Sequence, residues 1–165
     1  MNELFYISSA VAAASTIMVI TRANSVHALL YLIVSLLSVA VIFYILGAPF
    51  IAALEVIIYA GAIMVLFVFV IMMLNPGPQS EKQERLLLTP RMWAGPAVLS
   101  LILISELIYA LTSAGPQAAT LRVVSPKDIG VSLFGPYAIG VELASILLLA
   151  GLIGVYHIAQ KGRQD

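Results

Sequence analysis

The sequence predicts an all-α, polytopic membrane protein with five transmembrane helices, and three observations carry that prediction. Of its 165 residues, 62% are hydrophobic and 10% charged, where soluble domains average about 45–50% and about 25%. A soluble domain of this length cannot bury such an excess. Five apolar runs, at about 4–20, 26–47, 50–74, 92–111 and 137–157, have the length a bilayer crossing needs or come close to it. Short polar or Pro- and Gly-rich breaks separate them. Together they read as a single integral membrane domain over residues 1–165.

Composition also excludes several functions. A net charge of zero gives no reason to expect nucleic acid as a partner. The chain has no cysteine, which removes disulfides, iron–sulfur ligation and thiol redox chemistry from what it can do by itself. Only His27 and His157 could ligate haem, and they sit near the ends of different spans. No glycine-rich phosphate loop or cluster of metal ligands is present. The expectation is a chain without a cofactor of its own, in contact with membrane lipids.

The first span carries Glu3 and no Lys or Arg ahead of its apolar run, so it makes a poor signal peptide and is expected to be retained. Its centre, Ala10 to Ser15, is rich in small residues, which suits close helix packing. Thr21 to Ser25 is a polar break in which Asn24 or Ser25 can cap the next helix. The second span begins with His27 in its first turn, read as an interfacial residue. Gly47, Ala48 and Pro49 form a minimal uncharged turn, so the second and third spans pair antiparallel. Asn75, Pro76, Gly77 and Pro78 stop the third span, and 79–91 reads as a solvated charged loop. Trp93 anchors the start of the fourth span at the interface. Residues 112–136 read as the longest loop, and the fifth span follows.

Lys and Arg set the orientation. Arg22, Lys82, Arg85, Arg91, Lys161 and Arg163 fall on one side and Arg122 and Lys127 on the other. That bias places the N-terminus outside and the C-terminus in the cytoplasm.

The third span departs from a plain lipid-facing helix. Glu55 is an ionisable group inside it, and Tyr59 lies four residues on, along the same helix face. Ala60, Gly61 and Ala62 follow at mid-span. Glycine costs a helix about 1 kcal/mol relative to alanine, a cost a membrane helix accepts where a backbone comes close or the helix deforms locally. Two further carboxylates, Glu106 and Glu142, lie in or near the bilayer. A charge at the centre of a membrane helix costs at least about 2.5–3.5 kcal/mol, and no Lys or Arg within a span can pair with these acids. Such groups are protonated, paired or hydrated, which makes them candidates for a proton path. Glu55 ranks first and Glu142 second. Glu106, late in its span, ranks last as a side chain that snorkels to the interface. The plainer reading of all three is a carboxyl that only sets helix depth. Taken alone, the residues describe part of a proton or ion path in a chain too small to be a complete pump.

Three stretches carry a resemblance: VHALLYLIVSLL from Val26, ALEVIIYAGAIMVLFVFVIMMLN from Ala53, and LFGPYAIGVELASILLLAGL from Leu133. They closely resemble the J-subunit family of proton-pumping NADH:quinone oxidoreductase, respiratory complex I, whose mitochondrial counterpart is subunit 6. The likeness runs over all five spans. It is loose in the two long loops, and Glu106 matches no position of the family pattern. The resemblance implies a subunit without redox centres, FMN, iron–sulfur clusters and quinone being held by partner subunits. It implies a place in the bacterial inner membrane between the quinone-site subunit and the antiporter-like subunits, against the K subunit. It also implies a π-bulge at Tyr59-Ala60-Gly61, whose conversion to regular helix rotates Met64 and Phe67 and opens or closes a water wire. Proton-path and gating roles are thus expected for Glu55, Tyr59, Gly61, Met64, Phe67 and Glu142. The competing expectations are a subunit of a related cation/proton antiporter or membrane-bound hydrogenase, and a purely structural assembly subunit.

Overall fold

The structure is a computed structural model, and it describes residues 2–74, 90–112 and 123–161. The described residues are helical apart from short turns, and five helices are long and apolar enough to cross a membrane. The chain falls into two compact units, Met1–Val123 and Val124–Asp165.

In the first unit, α1 (Asn2–Thr21) and α2 (Ser25–Ile45) form an antiparallel hairpin. At 1.5 Å per residue each is about 30 Å long, the thickness of the hydrocarbon core. The Asn24 side chain caps α2 by accepting from the backbone N–H of His27 at 3.1 Å. The next turn reverses the chain through Gly47, whose φ of 83° is open to glycine without a Cβ penalty. Pro49 then occupies the first turn of α3 (Pro49–Leu54), where its missing N–H costs nothing. A π-helical segment, Glu55–Ile63, continues directly into α4 (Met64–Leu74). These three pieces make up the third span, and α2 packs along all of them. The fourth span is α5 (Pro90–Thr112), which packs on α1 and α2.

The core lies among α1, α2 and α5 and is layered. Leu4, Val41 and Ile45 form one buried apolar cluster, closed by Phe5 and Ala110. Val11, Val34 and Leu103 form another, closed by Leu37, Leu99 and Ile102. The buried side chains of α1 are Leu4, Ser8, Val11 and Ser15, an alternating four-and-three spacing that keeps one stripe of a helix turned to its neighbours. That stripe alternates apolar and hydroxyl residues. Of the small residues expected over Ala10 to Ser15 to permit close packing, Ser15 is fully buried and Ala12 half-buried, while Ala10, Ala13 and Ala14 are exposed; Ser8, ahead of that stretch, is fully buried as well.

In the second unit, α6 (Pro126–Phe134) precedes α7 (Ala138–Lys161), the fifth span. Helix α6 corrects the expectation of a continuous loop over 112–136; residues 113–122 lie outside the described residues. Its cause is local. Ser125 Oγ accepts from Asp128 N–H at 3.2 Å, and Asp128 Oδ2 accepts from Ser125 N–H at 3.2 Å, a reciprocal capping box. Pro126 supplies the first-turn proline. The charged loop expected at 79–91 lies mostly outside the described residues, and α5 begins at Pro90.

Candidate functional site

The third span is regular up to Leu54 and changes at Glu55. There the N–H still bonds Ile51 O and Ala52 O, the pattern of an α-helix or its tighter turn. Nine residues later the N–H of Met64 reaches Tyr59 O, five positions back, and Gly61 O, three back. The segment between is wider than an α-helix. It includes the expected Tyr59-Ala60-Gly61 and extends to Glu55 and Ile63, longer than the single turn such bulges usually occupy. Gly61 shows why a side chain is unwelcome within it. A Cβ at that position would stand 3.1 Å from Val56 O, the carbonyl five residues back that a π-helix turns toward it.

The side chains of this span are sorted unequally. Glu55 is half-buried at the first π position, Tyr59 is 49% exposed, and Phe67 is exposed on α4. Met64, the first residue beyond the π segment, is 1% exposed, while Ile63 and Val65 on either side of it are exposed. So the point where regular helix resumes is also the point locked into the fold. Glu142 is exposed on α7, where its carbonyl accepts from Ser145 Oγ at 2.7 Å.

Glu106 does not behave as expected. It is 5% exposed, so it does not snorkel. Ser8 Oγ donates to its Oε2 at 2.8 Å, from a helix 98 residues away in sequence. Its Oε1 has no partner among the described residues. The reason is register. Val11 and Leu103 share one apolar cluster, and Ala110 packs against the cluster that holds Leu4, so antiparallel α1 and α5 bring residue 8 opposite residue 106. Sequence depth could not show this. The signal that could have is the hydroxyl in the apolar stripe of α1.

At the other end of this bundle the His27 ring packs edge-on to Tyr31, with centroids 5.3 Å apart, and the Arg22 guanidinium stands 5.7 Å from the Tyr31 ring centre. His27 is buried within helix packing. Tyr31 lies against Gly95, where any Cβ would collide with its hydroxyl. Among the described residues, no three His, Cys, Asp or Glu side chains gather as metal ligands.

An all-helical, multi-pass membrane protein, with an acid-bearing π segment interrupting its third span and a second acid sealed in its bundle, is the class these features define. Residues 15–158 match the family described as NADH-ubiquinone/plastoquinone oxidoreductase chain 6. The chain is 54% identical to the NADH-quinone oxidoreductase subunit J of Pseudomonas aeruginosa, over 100% of this chain and 98% of that one. It is 51% identical to the subunit J of Escherichia coli K12, over 99% and 89%. It is 50% identical to that of Buchnera aphidicola subsp. Schizaphis graminum, over 98% and 99%. The chain belongs to the chain 6 family of NADH-ubiquinone/plastoquinone oxidoreductase.

Proposed function

We propose that this chain is a membrane subunit of proton-pumping NADH:quinone oxidoreductase that helps form and gate the intramembrane proton path, and that it holds no redox centre itself. FMN, iron–sulfur clusters and quinone belong to partner subunits in this reading. Its neighbours are the quinone-site subunit, the K subunit and the antiporter-like subunits. In this reading residues 1–165 are a single integral membrane domain of the bacterial inner membrane, with the N-terminus outside.

The observation that carries the gating role is the π segment ending at a buried Met64. Converting a π turn to an α turn withdraws one residue from the widened stretch. It turns everything beyond by about one residue's rotation, ~100° at 3.6 residues per turn. Met64 then leaves its buried seat and Phe67 sweeps to a new face. Such a turn opens or closes a gap beside Glu55 and Tyr59, whose carboxyl and hydroxyl order water. Glu142, exposed on α7, is free to meet an acid or water chain of a partner subunit. Support for the switch also comes from Gly61, the position at which a Cβ would press on a π carbonyl.

The test uses the absence of cysteine in this chain. With Met64→Cys in the intact membrane complex, an apolar thiol reagent is expected to label position 64 slowly at rest and faster during NADH-driven turnover. Mass spectrometry of this chain reads the labelling. Equal, slow labelling in both states sinks the switch and leaves a static packing subunit.

A further inference from the structure

We infer that Glu106, with Ser8, forms a water-binding, proton-exchanging site inside the α1–α2–α5 bundle, separate from the third span. This goes beyond the proposed gating role and needs only that the chain works within the NADH-driven complex.

The layer is defined by register. On α1, Ser8 lies between the two buried apolar levels, at Leu4 and Val11; on α5, Glu106 lies between Leu103 and Ala110; on α2, Ser38 lies between Val34 and Val41. Ser8 and Ser38 are fully buried. Besides the acid, that layer therefore holds two hydroxyls and no cation. Among residues with described side chains, the titratable groups of the surrounding helices are Glu3 and Tyr6 on α1, Arg22 just past its end, His27, Tyr31 and Tyr44 on α2, and Tyr109 on α5 itself. None of them belongs to the layer.

The acid is half satisfied. Oε2 accepts from Ser8 Oγ at 2.8 Å, and Oε1 has no partner among the described residues. A buried polar atom without a partner costs about 1–3 kcal/mol, and more for a charged group. Its ligand is a water or a proton. Among the described residues, the hydrogen bond to this carboxyl comes from Ser8. Ser38 Oγ donates to Val34 O at 2.8 Å and keeps lone pairs that can accept from a water.

A second orphan points the same way. Ser15 Oγ is fully buried and has no partner among the described residues. It lies seven residues, two helical turns, from Ser8 on the same stripe of α1, about 10 Å along the axis. One water cannot span that distance. At the level of Ala12 O, Thr16 Oγ1 and Ser35 Oγ share a hydrogen bond of 2.9 Å, and both hydroxyls also lie within hydrogen-bond distance of that carbonyl. The α1–α2 seam thus alternates hydroxyl layers with the apolar level of Val11, Val34 and Leu103, and Ser8 and Ser15 mark separate polar layers. Helix α2 packs on both this seam and the π segment, so movement of the third span reaches the acid through one shared helix.

The chemistry is one proton and no electrons. A proton delivered through the adjacent water binds the carboxylate at Oε1, leaving that water neutral. The same oxygen returns the proton by the reverse step. Ser8 holds Oε2 throughout and fixes which oxygen exchanges.

Infrared difference spectroscopy of the reconstituted complex, reduced by NADH against oxidised, tests this. A deuterium-sensitive carboxylic acid C=O band is expected to be lost in Glu106→Gln, to shift in frequency in Ser8→Ala, and to return shifted in Glu106→Asp. An unchanged band in Glu106→Gln overturns the inference. So does failure of the complex to assemble in Ser8→Ala, since loss of one hydroxyl would then show a packing latch. The gating proposal is read separately, by labelling at position 64, so either can fail alone.

Discussion

Two acids in this chain sit in opposite surroundings. Glu55 begins the π segment of a span that touches α2 along one side and presents most of its apolar side chains outward. Glu106 is held in a three-helix core with a hydroxyl on one oxygen. The first lies in a deformable helix whose interruption is maintained by its own backbone. The second lies in a rigid layer set by side-chain register. A moving part and a fixed part of one membrane subunit therefore need different things from the sequence. The moving part needs a glycine at the point where its carbonyls crowd. The fixed part needs small hydroxyl residues on an apolar stripe.

The comparison breaks first at Gly61. Gly61→Val puts a β-branched side chain against Val56 O, where restricted χ1 leaves it no easy escape. The π form is disfavoured by ~1 kcal/mol or more, a population ratio of about fivefold or greater. Quinone-coupled turnover and pumping are expected to fall together by at least that factor. The assembled complex should keep its NADH oxidation with an artificial acceptor at the peripheral arm. Normal pumping in the assembled variant would show that no tight switch exists there.

The acids themselves sharpen it. Glu106→Ala leaves the Ser8 hydroxyl buried without its partner, which costs about 1–3 kcal/mol, and opens a gap between two apolar levels. The complex is expected to inactivate at a lower temperature. Glu55→Ala, at a half-buried carboxyl without a side-chain hydrogen bond among the described residues, should cost less stability than Glu106→Ala while lowering pumping. Thermal inactivation profiles measured side by side decide this. The reverse order of thermal damage would overturn the division into moving and fixed parts.

The smallest effect lies outside both sites. Asn24→Ala removes the side chain that caps α2 through His27 N–H, worth about 1 kcal/mol. A small drop in thermal midpoint with unchanged pumping is expected. A loss of pumping as large as that of Gly61→Val would mean that the hairpin end takes part in the switch.

Much of this molecule was legible in the sequence because the relevant physics is local. Hydropathy over 20 or so residues placed the five spans within a few positions of the observed helices. Asn24, Gly47 and Pro49 announced their cap and turn through side-chain and backbone chemistry that acts within four residues. Ser125, Pro126 and Asp128 carried an equally local signal for α6, overlooked beside the prolines and glycines around it. The burial of Glu106 was not local. It depends on Ser8 at a distance of 98 residues, on the antiparallel register of α1 and α5, and on which stripe of each helix turns inward. The sequence by itself determined the membrane class, the spans and the glycine that admits a π segment. Only the tertiary structure decided that Met64 is the buried end of that segment and that Glu106, not Glu55, is the acid enclosed by protein, because burial belongs to the meeting of helices and not to any one of them.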